Sequence, residues 1–134
     1  MKLIVNLTSL LFFFIAFAQP TGTDKITGDS LYFMGDYIAA IAYYKKLPPK
    51  PSNLYLLGRT YEVASYKDEA IFYYQKSLDE DAGYQHSRFR LAKLYTQTFQ
   101  LDKAKEKLQF LINEDTTNAR YYYQMGLVAL KANS

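Results

Sequence analysis

The sequence predicts an all-α array of antiparallel helix pairs, and three observations carry that prediction. The first is repetition. Leu54-x-x-Leu57-Gly58-x-x-Tyr61, then Ala70-x-x-x-Tyr74, returns as Arg88-x-x-Leu91-Ala92-x-x-Tyr95, then Ala104-x-x-x-Leu108, with each position displaced by 34 residues. A fixed period of this length marks supersecondary units that bury their apolar faces by stacking on one another. The second is helical spacing. Leu54, Leu57, Gly58 and Tyr61 fall at i, i+3, i+4 and i+7, one apolar stripe of a helix, and Ala70, Tyr74 and Ser77 make another. The third is the alternation of size. Gly58, Ala70, Ala92 and Ala104 stand where two helices would cross closely, with Leu57, Tyr61 and Tyr74 to fill the flanking space. A bulky side chain at Ala70 would overpack that crossing, at a cost of about 1–3 kcal/mol.

These residues at this spacing resemble the tetratricopeptide repeat, a helix–turn–helix unit of about 34 residues. The resemblance implies a right-handed α-α superhelix of about three repeats plus one terminal helix, and the leader's own pattern puts an N-terminal signal peptide ahead of it. On that reading residues 1–18 are the signal peptide and 19–134 the tetratricopeptide repeat domain. Its repeats lie at about 21–50, 51–84 and 85–118, with a partial one at 119–134.

The leader is read from its own chemistry. Lys2 is a short basic region, Leu3 to Phe17 is largely apolar, and Ala16-Phe17-Ala18 is a small-residue cleavage pattern ahead of Gln19-Pro20. The apolar run falls short of the ~20 residues that span a bilayer, and Asn6, Thr8 and Ser9 interrupt it. A cleaved secretory signal is expected, with an uncleaved anchor as the alternative and no membrane span after cleavage. With no cysteine in the chain, a lipid anchor at the cleavage site, disulfides and thiolate metal sites are all excluded.

Behind the leader the first repeat is shortened. Gly35-Asp36-Tyr37-x-x-Ala40-Ile41-x-Tyr43-Tyr44-x-Lys46 aligns with Tyr66-Lys67-Asp68-x-Ala70-Ile71-x-Tyr73-Tyr74-x-Lys76 at an interval of 30 residues. The prolines at Pro48, Pro49 and Pro51 stop the helix there, and Pro51 suits the first turn of the next one. A first helix of this repeat is expected at about Asp24 to Met34, with Thr27 standing where a leucine would fit better. Tight turns are expected at Ala64-Ser65-Tyr66 and Thr98-Phe99-Gln100, with Asp68 and Asp102 at the positive ends of the helices that follow. Asn118 should cap a last helix from Ala119 to about Lys131. In that helix Tyr122, Met125 and Ala129 are expected to pack on the preceding repeat, leaving Val128 among the residues without cover. So apolar a terminal helix points to a longer array or to self-association through it.

Composition narrows the function. Removing 18 of the 134 residues leaves 116, enough for one domain. Loss of Lys2 with the leader takes the side-chain formal charge from +3 to +2. That balance, without a basic run interleaved with aromatics, argues against nucleic acid. The only histidine is His86, with no nucleophile or carboxylate pattern around it, so the chain is expected to be no enzyme. The six glycines sit at turns and helix crossings and form no phosphate loop, so no cofactor and no metal is expected.

What remains is a surface for a protein or peptide partner. In the family the first helices of successive repeats line a concave groove that binds such partners. By repeat position the resemblance assigns to it Ser52, Tyr55, Arg59, Glu62 and Val63, then His86, Phe89, Lys93, Thr96 and Gln97, then Arg120, Tyr123 and Leu127. Among these Tyr55, Arg59, Phe89, Lys93, Arg120 and Tyr123 are the candidate binding residues. Arginine or lysine beside an aromatic ring suits an extended segment that carries carboxylates and apolar side chains. The family's lysine and asparagine pattern for chaperone carboxyl termini is replaced by Tyr55/Arg59 and Phe89/Lys93, so that partner is not transferred. Two functions stay open: a scaffold exported to the periplasm or cell envelope of a bacterium, and the N-terminal sensory or docking part of a longer membrane regulator.

Overall fold

A computed structural model describes residues 22–134, so the expected leader at 1–18 lies outside the described residues. Seven helices follow in order: α1 (Gly22–Phe33), α2 (Tyr37–Tyr44), α3 (Pro51–Val63), α4 (Lys67–Glu80), α5 (Gln85–Gln97), α6 (Leu101–Glu114) and α7 (Ala119–Ala132). They pair as α1/α2, α3/α4 and α5/α6. Each pair stacks on the next, and α7 closes on α6 and α5. None of these helices is long and apolar enough to cross a membrane.

Local chemistry sets the helix ends. Asp36 caps α2 by accepting from the Ala39 N–H, and Asn118 caps α7 by accepting from the Arg120 N–H. Asp68 and Asp102 lie in the first turns of α4 and α6, as expected. Pro51 opens α3, and α2 is cut to 8 residues where α4 and α6 have 14. Inside each pair the chain reverses through one residue of positive φ: Gly35 at 84°, Ser65 at 68° and Phe99 at 59°. Only the first is a glycine. Phe99 therefore holds a left-handed conformation that costs an ordinary residue about 1–2 kcal/mol, and Lys131 Nζ covers its exposed ring at 4.2 Å.

The core follows the predicted stripes. Ala40, Ala70, Ala92 and Ala104 are fully buried, as are Tyr44, Tyr74, Leu91 and Leu108. Glycine is required at two crossings. A Cβ on Gly28 would stand 2.7 Å from the Tyr44 ring, and one on Gly58 would stand 2.6 Å from the Tyr74 ring. Polar stitches tie helices together, both within a repeat and between repeats. The Ser87 hydroxyl donates to Ser77 Oγ at 2.7 Å, Ser77 donates to the Pro51 carbonyl at 2.9 Å, and Gln124 Nε2 donates to Thr96 Oγ1 at 3.2 Å.

In α7 the structure corrects the expected register. Tyr121, Gln124 and Val128 are buried against the preceding repeat and Met125 packs on it half-buried, as expected, whereas Tyr122 and Ala129 are exposed. The motif positions held by Tyr122, Gly126 and Ala129 match Leu54, Gly58 and Tyr61 of α3. In α3 that stripe faces its own second helix, with Gly58 under the Tyr74 ring. Contact with the previous repeat is made by the neighbouring stripe, which is why Val128 is covered and Tyr122 is not.

Candidate functional site

The odd-numbered helices α3, α5 and α7 lie side by side, and two adjoining clefts open along them. The first, of about 380 Å³, is bordered by Tyr55 of α3, by Gln85, His86, Phe89 and Arg90 of α5, and by Asn118, Arg120 and Tyr121 at the start of α7. The second, of about 550 Å³, lies between α5 and α7, among Phe89, Lys93, Arg120, Tyr123, Gln124 and Leu127. Phe89 and Arg120 belong to both, with the guanidinium 5.0 Å from the ring centre.

Of the six candidate residues, the structure brings five to these clefts: Tyr55 to the first, Lys93 and Tyr123 to the second, Phe89 and Arg120 to both. Arg59 borders neither. Its guanidinium lies 4.4 Å from the Tyr32 ring of α1, with Nε buried and unpaired. Five other residues assigned to the groove by repeat position, Ser52, Glu62, Val63, Thr96 and Gln97, also border neither cleft. Thr96 is buried under Gln124, and Glu62 is bound from two sides.

Glu62 anchors a network that repeat position does not reveal. The Tyr74 hydroxyl donates to Glu62 Oε2 at 2.6 Å, and Arg90 Nη1 stands 3.5 Å from Glu62 Oε1. This fixes Arg90 at the border of the first cleft. Burial, then the hydrogen bond to the Glu62 carboxylate, pushes the Tyr74 hydroxyl far above the ordinary phenol value of 10.0. A raised folded-state value contributes stability that is complete below pH 10, where unfolded tyrosines begin to ionise, and that is lost as pH rises further. Chemical denaturation at pH 9 and pH 11 should therefore show a marked loss at the higher pH. Tyr74→Phe should lose distinctly less over the same interval, and equal losses would contradict this.

Electrostatically the clefts are one-sided. Arg90, already paired with Glu62, and Lys93 and Arg120 border them, and no carboxylate among the described residues does. Lys93 and Arg120 make no ion pair among the described residues. The rings of Tyr55, Phe89, Tyr121 and Tyr123 supply apolar walls, and His86 sits 5.8 Å from the Tyr55 ring. Such a surface can hold carboxylates by charge and flanking apolar groups by contact. Among the described residues, no three histidine or acidic side chains converge as a metal site would require.

Profiles of the tetratricopeptide repeat match residues 51–84 and 68–131, together more than half of the chain. The chain belongs to the tetratricopeptide repeat family. A comparison with curated protein sequences finds no match. Solved tetratricopeptide repeat structures superpose well. The first such domain of Spaghetti (RPAP3), bound to the HSP90 peptide SRMEEVD, is 16% identical with a TM-score of 0.75, over 84% of this chain and 92% of that one. The Yersinia enterocolitica type III secretion chaperone SycD, in complex with a peptide of the translocator YopD, is 17% identical with a TM-score of 0.73, over 82% and 92%. MamA is 27% identical with a TM-score of 0.78, over 85% of this chain but only 64% of its own length. Like these, the chain is an all-α tetratricopeptide repeat superhelix.

Proposed function

We propose that the chain is a non-enzymatic scaffold that holds an extended segment of a partner protein along α3, α5 and α7. The observation that carries this is the pair of adjoining clefts, with Lys93 and Arg120 outside any ion pair among the described residues, aromatic walls and no described carboxylate at their borders. It favours a segment that alternates acidic and apolar side chains over a basic or purely apolar one. Support comes from related folds, since the Spaghetti domain and SycD are each held in complex with a peptide. A labelled decapeptide of alternating glutamate and leucine should bind, more weakly as salt rises. Changing both Lys93 and Arg120 to glutamate should weaken it at least about tenfold, roughly 1.4 kcal/mol, with helicity unchanged. Equal binding of the glutamine–leucine peptide, or indifference to the double change, would overturn the reading.

We also propose that the scaffold works after export to the periplasm or cell envelope of a bacterium, on the strength of the Lys2, apolar and Ala16-Phe17-Ala18 pattern. The mature chain then starts at Gln19. An exported protein whose mass still includes residues 1–18 would refute that.

A further inference from the structure

We propose that the bound segment has two unlike halves: an acidic and apolar one at α5 and α7, and a proline-containing one in a third cleft beside α1 and α3. This rests on the peptide-binding reading above and gives the partner sequence a polarity.

The third cleft, of about 330 Å³, is bordered by Lys25 of α1, by Ser52, Tyr55 and Leu56 of α3, by Tyr84, and by His86 of α5. Tyr55 and His86 also border the first cleft, so the three clefts form one run from α7 to α1. The charge available to a ligand changes along that run. At the α7 end Lys93 and Arg120 are outside any ion pair among the described residues. At the α1 end Lys25 is already held by Asp29 at 2.6 Å. A second carboxylate acts there too. Burial, then Tyr55 and the Asp81 carboxylate, push the Tyr84 hydroxyl above its ordinary value. An acidic side chain is therefore favoured at the α7 end and opposed at the α1 end.

The third cleft has its own chemistry. The rings of Tyr55, Tyr84 and His86 form a triad with centres 5.9, 5.8 and 5.7 Å apart. The hydroxyls of Ser52 and Tyr84 make no hydrogen bond among the described residues. An open aromatic wall with unused donors suits proline. Proline-rich segments dock in aromatic-lined grooves in a helix already formed before binding. Their backbone offers carbonyls to the donors, while proline itself brings no N–H that must be satisfied. Packed helices lie about 8–10 Å apart. Two such steps separate the α5/α7 cleft from the third, a distance of about six residues at ~3.1 Å each.

Four decapeptides test this. Two join Glu-Leu-Glu-Leu-Glu-Leu to four prolines, placed before it in one and after it in the other. The other two carry alanines in place of the prolines. One proline peptide should bind at least about tenfold tighter than its alanine counterpart, with added amide shifts at Ser52, Leu56 and Tyr84. Tyr84→Ala should cancel that gain and leave the alanine peptides bound as before. Tyr84→Phe keeps the ring in place and should reduce the gain by removing the donor. Lys93→Glu should weaken proline and alanine peptides alike. Alanine peptides that bind while prolines add nothing at either end, or a gain that survives both Tyr84 changes, overturn this inference and leave the peptide-binding reading standing. Failure of all four to bind overturns both.

Discussion

Tyr74→Ala is expected to cost about 3–5 kcal/mol, the range for removing a large buried ring. Tyr74 is fully buried, its ring lies on Gly58, and its hydroxyl binds Glu62. Alanine would leave a cavity between α3 and α4 and deprive Glu62 of its shortest partner. The position makes the loss propagate. The α3/α4 pair joins the first repeat to the third, and an array of repeats is held only through nearest neighbours. Denaturant unfolding should therefore show a lower midpoint and a transition that splits. Tyr74→Phe keeps the ring and loses only the bond to a charged acceptor, so about 1.5–3 kcal/mol is expected. If alanine cost no more than phenylalanine, the ring's packing on Gly58 would not be what holds the pair.

The same substitution should have opposite signs at two glycines that occupy one motif position. Gly58→Ala adds a methyl group where the Tyr74 ring stands 2.6 Å away, so the ring or the helix must shift, at about 1–3 kcal/mol. Gly126→Ala adds it to open space on α7 and should stabilise the free chain by about 0.8–1 kcal/mol through helix propensity. Thermal unfolding of the two variants checks this, and a shared sign would contradict the account of the crossings.

Much of the fold was legible because repetition carries it. A period of 34 residues and a recurring small-to-large pattern place α3 to α6 and their turns, and the prolines explain the short α2. The register of α7 was not legible. Met125 packs on the preceding repeat, but Tyr122 and Ala129 occupy motif positions that face a second helix of the same repeat, and α7 has none among the described residues. Repeat position found Phe89, Lys93, Arg120 and Tyr123, because each lies on the same face of its helix. It missed Arg90 and misplaced Arg59, whose partners Glu62 and Tyr32 belong to the preceding repeat. Spacing within one repeat is silent about which side chain of a neighbour it meets. A signal was nonetheless present: Arg90 stands where the preceding repeat has Leu56, so a half-buried arginine there needs a carboxylate nearby, and Glu62 is an acid on the adjoining first helix.

The central claim is that an acidic, partly apolar segment lies along α3, α5 and α7. An amide NMR titration of residues 19–134 with the glutamate–leucine decapeptide tests it most directly. The account predicts saturating shifts at Tyr55, Phe89, Lys93, Arg120 and Tyr123, with little change on α4 and α6. Shifts confined to α4 and α6, or none from this peptide while a basic one binds, would contradict it.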